Sequence, residues 1–235
     1  MRRALLAAPC AALLAGPAAA ECRLALVLAI DVSSSVDAEE DILQRGGLAR
    51  ALIAPEVEAA FFASGVPVAL AIFEWSGRYN QELLLDWTLI DSPEALTAAA
   101  EAVGRSDRSH NDFPTALGYA LGYAAVLLQR APDCWQRTID VSGDGINNEG
   151  FPPAAAYREF PFDGVTVNGL VVAPVEFEGA YDLVEYYEDV VVRGPGAFVE
   201  IAATFEDFED AMRRKLVREL SALAIGSLPA GARGG

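Results

Sequence analysis

Five residues in three separate stretches have side chains that together could hold a cation. In "LALVLAIDVSSSVDAEED" (24–41) an apolar run ends on Asp31, with Ser33 and Ser35 following at alternate positions. In "TALGYAL" (115–121) Thr115 stands at the head of a helical pattern, and in "TIDVSGDG" (138–145) Asp144 directly follows a second apolar run. Two carboxylates and three hydroxyls form an all-oxygen set, which suits a hard octahedral cation such as Mg²⁺ or Mn²⁺. Alternate residues of an extended chain point to one side, so Asp31, Ser33 and Ser35 share a face if the backbone stays extended there. Serines after a strand also terminate it or cap the next helix. It is the addition of Thr115 and Asp144, on separate elements, that points to a metal.

Other chemistries find less support. His110 is the only histidine and no Cys-x-x-Cys occurs, which argues against zinc or haem. There is no Gly-x-Ser-x-Gly for a serine hydrolase and no Gly-x-Gly-x-x-Gly after the first strand for a dinucleotide. A Mg²⁺-dependent phosphoester hydrolase with Asp31 as nucleophile would want a second acid two residues on, where Ser33 stands. "DGINNEG" (144–150) is not an EF-hand loop, because Ile146 fills its third position.

The elements that must position these residues alternate between strand-like and helical patterns, as in a doubly wound α/β domain. Strands are expected at 23–31, 66–75, 82–89, 137–142, 165–172 and 197–202. The second and third are joined around Ser76-Gly77 as a hairpin, which makes one antiparallel edge. Helices are expected from Asp37, whose pairing with Glu40 resembles a capping box, to about Ala54, and at 92–103, 115–129, 153–159 and 206–223. The fold class is therefore a Rossmann-like, mostly parallel sheet with helices on both faces. In such sheets ligands collect outside the carboxyl ends of the strands, where Asp31 and Asp144 lie. The acid- and tyrosine-rich stretch "VEFEGAYDLVEYYEDVVV" (175–192) reads as a solvated helix with Tyr181, Tyr186 and Tyr187 packed beneath it, rather than as a partner surface.

Residues 1–20 read as an export signal: Arg2 and Arg3, a short apolar stretch, then Ala18-Ala19-Ala20 with cleavage after Ala20. Residues 21–226 form one domain in this reading, and 227–235 a flexible tail. No later apolar run is long enough to span a bilayer, so the protein is expected in the periplasm or secreted. Loss of Arg2 and Arg3 takes the formal charge from −17 to −19, which disfavours nucleic acid or an anionic membrane as partner. Two cysteines remain after cleavage. Cys22 precedes Asp31 by nine positions and Cys134 precedes Asp144 by ten. If both acids end neighbouring parallel strands, both cysteines lie together at the far ends, and a Cys22–Cys134 disulfide is expected.

Asp31-x-Ser33-x-Ser35, the Thr115-x-x-Gly118-x-Ala120-Leu121 stretch and Asp144-Gly145 resemble the metal-ion-dependent adhesion site of von Willebrand factor type A (vWA) domains. "WTLID" (87–91), "IDVSGDGINNEG" (139–150) and "GPGAFV" (194–199) are similar to a bacterial family of exported A-like domains of unknown function. The resemblance implies that Ser33 and Ser35 bind the metal directly. Thr115 would bind directly or through water, and Asp31 and Asp144 mainly through water or hydrogen bonds. It also implies a non-enzymatic module in which the cation takes a carboxylate from an Asp or Glu of a protein partner. A phosphoester hydrolase and a scaffold with a purely structural metal are the alternatives.

The loop before Thr115, "RSHNDFPT" (108–115), lacks the glycine pair common there in the wider family. Asn111 or Asp112 is an alternative to Thr115, although the spacing to Gly118 favours Thr115. His110 is either a gate to the ligand or an exposed loop residue. Asn147 and Asn148 are expected as donors to Asp144 or as turn residues.

Overall fold

The computed structural model describes residues 21–173 and 180–226. The export-signal reading, the tail and part of the acid-rich stretch fall outside these residues.

The run from Cys22 to Asp31 is apolar on both sides, and it forms a strand buried along its whole length, β1. Such a strand needs neighbours and cover on both faces. β2 (Val68–Ser76) and β4 (Cys134–Gly143) flank it in parallel. β3 (Asn80–Ile90) returns antiparallel on β2 through the tight turn at Gly77, whose φ is +48°. β5 (Val165–Val172) and β6 (Val199–Ala202) extend the other side in parallel. The sheet order is β3-β2-β1-β4-β5-β6. The chain leaves β1 towards β2 on one side and pairs β4 on the other, so the ends of β1 and β4 flank a topological switch point. The six strands fall where the patterns place them, with β4 starting three residues earlier than expected.

Helices cover both faces. On one lie α1 (Ala38–Leu52), α3 (Pro93–Gly104) and α7 (Phe208–Gly226), which bring Leu48, Leu96, Phe208 and Leu216 onto the sheet. On the other, α4 (Leu117–Leu128) and α5 (Pro153–Glu159) pack Leu121 and Ala156. The capping box at α1 is present: the Asp37 side chain accepts from the Glu39 and Glu40 amides, and Glu40 accepts from the Asp37 amide. The expected helix to Ala54 ends at Leu52, because Pro55 opens a separate short helix, α2 (Pro55–Phe61). In the acid-rich stretch α6 (Ala180–Tyr186) runs into a π-helical turn, Tyr187–Val191. Its outer acids, Glu188 and Asp189, are exposed and Tyr187 is fully buried, as expected of aromatic stems beneath a solvated helix.

Cys22 and Cys134 face each other in the register of β1 and β4 and form the expected disulfide, with Cα atoms 4.5 Å apart. It ties the amino ends of the two strands whose carboxyl ends carry Asp31 and Asp144. Among the described residues no helix is long and apolar enough to cross a membrane.

Candidate functional site

β1 delivers Asp31 fully buried to the end of the sheet. The chain then turns within its next residues rather than staying extended. One Asp31 carboxylate oxygen accepts the Ser33 amide at 2.8 Å, and Val36 N donates to Ser33 O at 3.0 Å. The turn still gathers the side chains. The Ser33 and Ser35 hydroxyls are 3.1 Å apart, Thr115 donates to Ser33 Oγ at 3.2 Å, and Ser35 donates to Asp144 Oδ1 at 2.7 Å. All five candidate residues thus meet at the switch point, contributed by three loops.

Thr115 does not lie inside α4, as the sequence pattern suggests, but two residues before it. Ala116 at the helix start offers no side-chain cap. The cap comes from another loop: Asn147 Oδ1 accepts the Gly118 amide at 3.0 Å and Asn148 Oδ1 accepts the Thr115 amide at 2.9 Å. Asn147 and Asn148 therefore support Thr115 and α4 rather than donating to Asp144, which corrects the expectation. The amides of Asn148 and Glu149 return to Thr115 O, locking the two loops together. Asp112 is exposed, and none of its described hydrogen bonds reaches the cluster; Asn111 is likewise on the outer loop. The hydroxyl at the centre is that of Thr115. His110 is exposed and stands edge-on to Phe113.

The sequence reading missed Arg108. Its guanidinium donates to Val32 O at 2.8 Å, Ser33 O at 2.9 Å and Val36 O at 2.8 Å, and to His110 O in its own loop at 2.7 Å. It fastens the "RSHNDFPT" loop to the carbonyls behind the serines. A second tie lies deeper, where buried Glu74 at the end of β2 accepts from Arg45 of α1 and from the Ser109 amide and hydroxyl. No local spacing signals either contact; an arginine in a loop of an acidic chain was the only hint.

The electrostatics ask for a positive charge. Burial above all, then the nearby Asp144, pushes the Asp31 carboxyl up to about 8, against the Ser33 hydrogen bonds and Arg108, which lower it. Asp144 is raised too, chiefly by burial. Asp31 Oδ2 is buried, with no hydrogen-bond partner among the described residues. A dication answers the two raised carboxyls, since it neutralises two adjacent carboxylates. Hydroxyls 3.1–3.2 Å apart suit coordination by hard oxygen donors. Among the described residues no group of three His, Cys, Asp or Glu side chains comes together to hold a metal, so the hydroxyls are essential to any site here.

A mostly parallel six-stranded sheet with one antiparallel edge strand and helices on both faces is a vWA-like fold, and comparison with solved structures bears the fold out. A vWA domain from Catenulispora acidiphila is 17% identical over 85% of this chain and 43% of its own, with a TM-score of 0.60. The PilB minor pilin of Streptococcus sanguinis, as its D319A mutant, is 13% identical over 91% and 65%, with a TM-score of 0.64. The proximal thread matrix protein 1 of the mussel byssus, solved with a zinc-occupied MIDAS motif, is 16% identical over 86% and 49%, with a TM-score of 0.56. The chain spans about half the length of the mussel protein and less than half of the Catenulispora chain. Through residues 21–224 the chain belongs to the family DUF1194, described as a protein of unknown function. No curated relative matches it.

Proposed function

We propose that the protein is an exported, metal-dependent protein-binding module, with Mg²⁺ or Mn²⁺ held by Asp31, Ser33, Ser35, Thr115 and Asp144. The observation that carries this reading is the convergence of three hydroxyls on Asp144 Oδ1 and one another beside the buried Asp31 carboxylate. The hydroxyls of Ser33, Ser35 and Thr115 would be the neutral ligands, and the two acids would balance the charge through hydrogen bonds or water. When bound, the cation supplies an electrophilic position for a carboxylate from outside. This chain's own part is to hold the hydroxyls together and to keep the Asp31 side of the site dry. The mussel protein's occupied motif supports a divalent ion at this place in the fold. The choice of Mg²⁺ or Mn²⁺ rests on the all-oxygen donor set.

The surroundings narrow the partner. A cleft of about 470 Å³ beside Asp144 is walled by Asp37, Glu39, Glu40 and Glu206, so a broadly acidic partner would be repelled. Tyr79, Phe113 and Ile146, which are 85%, 38% and 52% exposed, stand on the turn and loops near the cluster. The fitting ligand is a single Asp or Glu in an otherwise neutral or basic surface with apolar neighbours. Export is supported by the disulfide, which persists in oxidising compartments. Nucleic acid does not fit the charge, and we take the module to be non-enzymatic. Capture from envelope extract, with Mg²⁺ and with chelator, tests the reading. A partner retained only with metal, and lost with Thr115→Ala, is expected; a partner held equally well in chelator contradicts it.

A further inference from the structure

The orphaned Asp31 oxygen is not alone. Tyr187, the first residue of the π-helical turn, is fully buried, and its hydroxyl also lacks a hydrogen-bond partner among the described residues. The two groups converge on one point. A Cβ built on Gly143, the last residue of β4, would lie 2.5 Å from the Tyr187 hydroxyl and 2.9 Å from Asp31 Oδ2. Glycine at 143 leaves the space through which these oxygens face each other. Trp75, the register partner of Asp31 on β2, brings a third buried polar atom without a described partner, Nε1, to the same end of the sheet. The rest of Tyr187's surroundings is an apolar cluster that would accept phenylalanine equally well. A buried hydroxyl with no partner is costly, and buried polar groups in native proteins are almost always satisfied. Burial, with Asp31 and Asp144 adding to it, holds the phenol far above its ordinary range, so it keeps its proton and remains a donor.

We propose that Tyr187 is a positioning residue of the metal site, its hydroxyl donating to Asp31 Oδ2, directly or through one buried water, and so holding the carboxylate in place for the cation. The proposal rests on the metal reading above. It gives the π-helical turn a purpose, because a one-residue widening of a helix re-aims a side chain. The neighbouring residue points the same way: Tyr186 accepts the Asn147 amide at 3.3 Å, in the loop that follows Asp144.

The test is calorimetric titration of Mg²⁺ and Mn²⁺ into chelator-stripped wild type, Tyr187→Phe and Tyr123→Phe. Tyr123 lies on α4 with its ring against Phe73, and loss of its hydroxyl should not move metal affinity. Outer partners of metal ligands are typically worth 10–100-fold in affinity, and Tyr187→Phe should weaken binding by about tenfold. Its melting temperature without metal should fall modestly, because Asp31 Oδ2 then loses its donor. A merely structural tyrosine would also lower that temperature but leave the affinity intact. In wild type carrying ¹³Cζ-tyrosine, the Tyr187 resonance should shift on adding Mg²⁺, a readout that needs no variant. Equal affinity in wild type and Tyr187→Phe, or a Tyr187 resonance that does not respond, overturns the proposal alone. Wild type that binds neither ion overturns the metal reading and this inference with it.

Discussion

At the scale of single residues, the site depends on side chains that close it from outside. Arg108 donates to three carbonyls of the serine-bearing turn and to none of the acids. Its removal leaves those acceptors to water and frees the turn. Arg108→Ala should cost about 1.5–3 kcal/mol in urea unfolding, the range for hydrogen bonds made by a charged group. It should also weaken Mg²⁺ binding although a positive charge near the cation is lost; tighter binding would mean that the charge matters more than the clamp. The hydroxyl and acid positions were legible in sequence because their spacing follows strand ends and a helix start. Arg108, Tyr187 and the caps from Asn147 and Asn148 were not. Each acts across at least 29 positions, on a backbone group or an orphaned oxygen that no local pattern marks.

At the scale of elements, strand and helix order was readable because burial on both faces of β1 and β2 leaves continuous apolar runs, 24–30 and 68–73, and because Asp37 and Glu40 announce α1. The start of α4 was misplaced because its cap is tertiary. Gly118 makes the same point. A glycine inside a helix normally costs about 1 kcal/mol against alanine, so Gly118→Ala would ordinarily stabilise. Here a Cβ would land on the Phe151 carbonyl oxygen, a backbone atom that cannot step aside cheaply. Gly118→Ala should therefore destabilise by about 1–3 kcal/mol, the cost of overpacking, and should loosen the 144–151 loop. Thermal unfolding decides the sign: a raised melting temperature would mean that α4 and the loop are not pressed together as described.

At the scale of the whole molecule, the two ends of β4 serve different needs, and a buried charge cluster lies between them. The disulfide at the amino end closes a loop of 112 residues and contributes roughly 2–4 kcal/mol. In the middle, Asp140 pairs with Lys215 of α7 at 2.9 Å, and Lys215 pairs with Glu219 at 2.7 Å, all buried. One ammonium serves two carboxylates. Burial foremost, with Glu219 adding and Lys215 opposing, raises Asp140 to about 7. In the unfolded chain an aspartate titrates near 4, so between about pH 4 and pH 7 the native state keeps a proton the unfolded state has lost. Stability on this account falls as pH rises through that window, by up to about 1.4 kcal/mol per unit, and levels off above it. Urea unfolding of wild type and Asp140→Asn at pH 5 and pH 8 should show a steeper decline in wild type; parallel declines would place the proton elsewhere.

The central claim is that the cluster at the switch point holds a dication, and calorimetric titration of Mg²⁺ into the metal-stripped protein tests it most directly. Wild type should bind one ion per chain and gain thermal stability in proportion to ligand excess. Ser33→Ala should bind more weakly, and Asp31→Ala should neither bind nor respond. The same heat and the same rise in melting temperature in wild type and Asp31→Ala would contradict the claim.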